Sequence, residues 1–77
     1  DGEKHADYEG LTYGSSYEEV IEVQDMLYAL GYLSDNYDGF FGEATEAAVM
    51  NFQEDHNLEA TGIVGDYTMQ ALYDALN

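Results

Sequence analysis

The chain has 77 residues, with one Lys, no Arg, seventeen Asp plus Glu and a formal net charge of −16. So few cations exclude a phosphate-reading surface, so no nucleic-acid partner is expected, and they disfavour docking on an anionic membrane; no apolar run approaches the ~20 residues needed to cross one. The absence of cysteine excludes disulfide staples and thiolate metal sites, so one small domain must stand on a core drawn from its 45% hydrophobic residues.

Residues 1–12 (DGEKHADYEGLT) show no periodicity and read as an acidic linker or frayed arm ahead of a domain over residues 13–77. No signal peptide is visible, and a start inside an acidic arm reads as a domain cut from something longer. His5 reads as a solvated side chain, since no Cys or clustered His stands beside it.

Gly14-Ser15-Ser16 is a helix start, with Ser16 and Glu19 spaced as a capping box. Glu18 and Glu19 suit the positive end of the helix dipole. The first helix is expected from Tyr17 to Leu30, ended by Gly31 in the left-handed C′ position. Val20, Val23, Leu27 and Leu30 form its core stripe, and Tyr17, Ile21 and Tyr28 a flanking stripe for loops, the arm or a neighbouring domain.

The most informative stretch is Asp38-Gly39-Phe40-Phe41-Gly42-Glu43-Ala44-Thr45. Gly39, Gly42, Thr45 and Ala48 recur 23 positions later as Gly62, Gly65, Thr68 and Ala71, so a loop-helix unit is used twice. In the first copy Gly39 takes a positive φ, Asp38 caps loop amides in an Asx-turn, Phe41 points into the core and Phe40 stays half exposed. Gly42 is the N-cap of a second helix over Glu43 to His56, with Ala48, Val49 and Phe52 inward. His56 falls in its last turn, where a cation suits the dipole. Asn57 takes the left-handed position and Leu58 folds back. In the second copy Val64 replaces Phe41, and Gly65 starts a third helix running to Leu76 with Ala71, Leu72 and Leu76 inward. Gln24 and Gln53 each follow a core residue and are placed to reach a loop backbone. The fold class is all-α: a small three-helix bundle built on a duplicated loop-helix unit.

No catalytic constellation emerges. The two His stand in the arm and at a helix end, and Glu18/Glu19 splay on a helix rather than face each other as a glycosidase pair. Asp35-Asn36-Tyr37-Asp38-Gly39 invites an EF-hand reading. With Gly39 at loop position 6, however, Ser34 falls at position 1 and Thr45 where a bidentate Glu is required, so that reading fails. No metal and no cofactor are expected.

The ordered pattern runs Val20-x-x-Val23-Gln24-x-x-Leu27, Leu30-Gly31-Tyr32, Asp38-Gly39-x-Phe41-Gly42-x-x-Thr45-x-x-Ala48-Val49-x-x-Phe52-Gln53, and Gly62-Ile63-Val64-Gly65-x-x-Thr68. It resembles the peptidoglycan-binding domain family, the small modules attached to bacterial cell-wall hydrolases and spore-cortex enzymes, over about Leu11 to Leu76. The resemblance implies an orthogonal three-helix bundle, an extracellular or cell-wall location, no activity of its own, and peptidoglycan as partner through its glycan and stem peptide. It also implies an attached catalytic domain in the parent protein. Two departures stand out: Asn57 replaces a frequent Gly, and Thr61 replaces an Asp, which would cost the second loop a polar contact. A charge of −16 is also repelled by an anionic wall at low salt.

The ligand site is expected where the repeated loop meets the second helix. Tyr32, Tyr37 and Phe40 offer stacking surfaces, Asp38 and Thr45 polar contacts, and Gly42 open backbone. The competing reading is an acidic protein-interaction module that keeps the fold without binding the wall.

Overall fold

Three apolar stripes of helical period, the first two followed by a residue at positive φ, give α1 (Glu18–Ala29), α2 (Glu43–Asp55) and α3 (Asp66–Leu76). The computed structural model describes residues 4–15 and 18–77; the expected capping box at Ser16 and the flank residue Tyr17 lie outside the described residues.

The first two helices stop in the same way. Beyond α1 the Tyr32 amide donates to the Leu27 carbonyl (2.8 Å) and Gly31 to Tyr28 (3.0 Å), with Gly31 at φ 92°. Beyond α2 the Leu58 amide donates to Gln53 (2.8 Å) and Asn57 to Glu54 (3.3 Å), with Asn57 at φ 61°. Both are Schellman closures, in which two orphan carbonyls gain partners through one left-handed residue. Asn57 therefore does the work of a glycine. His56 sits at the C-cap of α2 with its ring stacked on Phe52, centroids 4.1 Å apart.

The core is one cluster. Val20, Val23 and Leu27 of α1 meet Ala48, Val49 and Phe52 of α2, Leu72 of α3, and the loop residues Phe41 and Val64. α1 packs against both α2 and α3. Truncating Phe52 to Ala here would cost about 3–5 kcal/mol. One inward assignment is corrected: Leu76 is 43% exposed. Leu30 is half-buried and packs against the core cluster. Gly65 is the N-cap of α3 rather than its first residue. Of the flanking stripe, Ile21 packs against Gly39 and Tyr28 meets Tyr37 with centroids 6.1 Å apart.

The largest difference from expectation is the arm. Residues 4–12 are not frayed; they lie along the second loop-helix unit. Leu11 and Val64 pair in antiparallel fashion through two bonds of 3.0 and 2.8 Å, and the Glu59 amide donates to the His5 carbonyl at 2.8 Å. His5, expected in solvent, is exposed but stacks on Tyr67 at 4.4 Å and 8°. Gly10 is what lets the chains approach: at φ 145° a Cβ would sit 2.1 Å from the Val64 oxygen. The physical cause of the docking is Asp7, which is 6% exposed and bonded to the start of α3.

Candidate binding cleft

Gln24 builds the first loop from below. It is 1% exposed on α1; its Oε1 accepts from the Gly39 amide (2.9 Å), and its Nε2 donates to the Phe40 carbonyl (3.1 Å) and to Thr45 Oγ1 (2.9 Å). One side chain thus fixes the positive-φ turn at Gly39 (φ 91°) against the first turn of α2. Asp38 Oδ1 accepts the Phe40 amide at 3.1 Å, closing the expected Asx-turn. The Phe41 ring is fully buried, which turns Phe40 outward. The Phe40 ring then crosses the start of α2 so closely that a Cβ at Gly42 would stand 3.3 Å from two of its carbons.

The result is a cleft of about 260 Å³ between the 33–38 loop and the start of α2. Five of the six expected site residues line it together: Tyr37, Asp38, Phe40, Gly42 and Thr45. Gln24, Leu33, Asn36, Glu43 and Ala44, which were not anticipated there, complete the lining. Tyr32 is elsewhere. Its hydroxyl donates to Asp55 Oδ2 (2.6 Å) and its ring meets Phe52 edge-on at 5.5 Å, so it braces the end of α2. The hydrogen bond to Asp55, then burial, raises its pKa above the ordinary value. Tyr37 hydrogen-bonds Asp25, and that bond, ahead of burial, raises its pKa likewise.

The second copy repeats the construction. Gln53 Oε1 accepts from Gly62 (3.0 Å), and Nε2 donates to Ile63 O (3.0 Å) and Thr68 Oγ1 (3.0 Å). Thr61 Oγ1 accepts from the Ile63 amide at 3.2 Å, as Asp38 does from Phe40. The polar contact that an Asp would give there is therefore kept by the hydroxyl.

What differs is the top of the helix. At α3 the Asp7 carboxylate takes the amides of Gly65 (3.0 Å), Tyr67 (3.1 Å) and Thr68 (2.7 Å). Burial opposes ionisation of Asp7, but these bonds outweigh it and hold the pKa below 3.8. Around the start of α2 the side-chain bonds are those of Gln24 and Asp38, and among the described residues no side chain takes the corresponding amides of Gly42, Ala44 and Thr45. The first residues of α2, Glu43, Ala44 and Thr45, thus line the cleft together with Phe40, Gly42 and Asp38. A wider depression of about 820 Å³ lies over Tyr8, Tyr67 and the arm, but the carboxylate there, Asp7, is already committed to α3. Among the described residues no His, Asp and Glu cluster could hold a metal ion, and no helix is long and apolar enough to cross a membrane.

Residues 16–72 match the family of peptidoglycan binding domains. The crystal structure of the SleB N-terminal domain superposes with a TM-score of 0.86 at 37% identity, covering 92% of this chain and 97% of that one. The chain is 39% identical over 67 residues to the spore cortex-lytic enzyme of Oceanobacillus iheyensis, covering 87% of this chain. It is 38% identical over 56 residues to the N-acetylmuramoyl-L-alanine amidase CwlM of Mycobacterium tuberculosis, covering 73% of this chain. The chain belongs to the peptidoglycan-binding domain family, as a non-catalytic binding module. It spans only 24% and 14% of the lengths of those two relatives.

Proposed function

We propose that this module binds peptidoglycan through the cleft at the start of α2, and that in its parent protein it holds an attached cell-wall hydrolase on its substrate, outside the cell membrane. The observation that carries the site is the contrast between the two copies: Asp7 takes the donor set at α3, and among the described residues no side chain takes the matching set at α2. A ligand acceptor oxygen, from a stem-peptide carbonyl or an acetamido group, would complete it as Asp7 completes its twin. The net charge of −16 favours neutral acceptors at low salt. The kinds of parent protein in which the relatives occur, cortex-lytic enzymes and an amidase, support the anchoring role. Weak single-site affinity would suffice, since tethering raises the effective concentration of the attached domain.

The test is co-sedimentation with purified insoluble peptidoglycan over a range of salt. Wild-type protein is retained, and Phe40→Ala with Thr45→Val is released while remaining folded. No retention of the wild type at any salt overturns the reading.

A further inference from the structure

Tyr13 is an exposed aromatic held in a fixed place for which the fold has no use. Residues 12–15 form a tight turn: the Ser15 amide donates to the Thr12 carbonyl (2.9 Å), the Thr12 amide donates to Ser15 Oγ (3.2 Å), and Gly14 takes φ 98°. Two further backbone bonds strap this turn to the first loop-helix unit, Gly14 N to Phe41 O and Phe41 N to Ser15 O, both 2.8 Å. The strap sets the Tyr13 ring 6.4 Å from that of Phe40, at 71°. Tyr13 is 53% exposed and Phe40 47%, and neither belongs to the core cluster.

We propose that Tyr13 is a ligand-contacting residue that extends the cleft, and that the corner it makes with Phe40 receives the apolar face of a neutral N-acetylhexosamine ring of the glycan strand. This rests on the wall-binding reading above and says which part of the wall polymer reaches this end of the cleft. Three observations favour a sugar ring. The two rings meet nearly at right angles, so a flat, partly apolar ligand gains contact with both. The neighbouring ionisable side chains lining the cleft, Asp38 and Glu43, are acidic, so a carboxylate is the poorer occupant and a neutral ring the better one. The turn is already tied down by four hydrogen bonds, so little ordering cost remains when the ligand lands. The donor cradle of α2 adjoins Phe40, so the acetamido carbonyl of the same sugar lies within reach of it.

The experiment uses two probes. In the first, the wild type is titrated with an uncharged N-acetylglucosamine tetramer, which carries no peptide and no carboxylate, and followed by NMR. Ring signals of Tyr13 and Phe40 shift together. Shifts at Tyr13 that appear only with a peptide-bearing muropeptide overturn the assignment to sugar. In the second, Tyr13→Ala, Tyr13→Phe and, as a control remote from the cleft, Tyr73→Ala are compared on insoluble peptidoglycan. Tyr13→Ala weakens binding about three- to tenfold, while Tyr13→Phe and Tyr73→Ala bind as wild type. Wild-type retention with equal retention of Tyr13→Ala overturns this proposal and leaves the cleft reading standing; no retention of the wild type overturns both. Far-ultraviolet dichroism of each variant confirms that the turn change leaves the bundle folded.

Discussion

Gln24 and Gln53 stand in the same relation to the helix that follows each of them: Gln24 donates to Thr45 at 2.9 Å and Gln53 to Thr68 at 3.0 Å, and each also closes the glycine turn between. Each is a buried amide with its oxygen and its nitrogen both used. Replacing Gln53 by Leu leaves the Gly62 amide and the Ile63 carbonyl short of partners in a dry setting. The expected loss is about 2–3 kcal/mol, read as a lower urea midpoint at unchanged slope. Gln70→Leu, on the exposed face of α3, is expected to stay within about 0.5 kcal/mol of wild type.

Asp7 ties the arm to α3 as a charged acceptor. Asp7→Asn keeps the shape and loses the charge, at an expected cost of about 1–2 kcal/mol at neutral pH. Its folded pKa lies below 3.8, so its contribution is present above the unfolded value and is lost as pH falls through the folded one. The stability gap between wild type and Asp7→Asn should therefore be constant from about pH 5 upwards and close under strong acid. Urea midpoints taken across that range check it; a gap that persists at the acid end contradicts it.

Gly10 permits the close pairing of the arm with Val64, where any Cβ meets backbone rather than a movable side chain. Gly10→Ala is expected to undo the Leu11–Val64 pair and expose the Asp7 contacts. Amide exchange should quicken at Leu11, Val64 and Thr68, while the amides at the end of α1 keep their protection.

Tyr32 and Tyr37 are expected to titrate late. Tyr32 and Tyr37 donate to Asp55 and Asp25, and forming a phenolate beside a carboxylate is unfavourable. Both folded pKa values are raised, so the stabilisation is present below the unfolded value of 10 and is lost as pH rises through the folded ones. In an ultraviolet phenolate titration, Asp55→Asn moves one tyrosine to lower pH.

Much of the architecture was legible because it is local or periodic. The stripe through Val20, Val23 and Leu27 placed α1, and the repeat of Gly39, Gly42 and Thr45 in Gly62, Gly65 and Thr68 placed the two loops. The echo of Gln24 in Gln53 marks the loop contacts through sequence spacing alone. Five residues that meet in the cleft were named for the same reason, since they sit within one short segment. Tyr32 lies outside the cleft, held by Asp55 23 residues away, a pairing that no pattern in the sequence marks. Asp7 was invisible for a stronger version of that reason. It is one acid among seventeen, in a segment without periodicity, and its partners lie 58 to 61 positions along the chain. Leu76 has the right spacing for the core and is nonetheless exposed on the last turn of α3.

The central claim is that the ligand enters at the start of α2 and not at its twin. The direct measurement is an amide NMR titration of the whole chain with a soluble muropeptide. The account predicts shifts at Gly42, Ala44 and Thr45 together with Phe40, while Gly65, Tyr67 and Thr68, already held by Asp7, stay in place. Shifts centred on Gly65, Tyr67 and Thr68, or no shifts at either helix start, would contradict it.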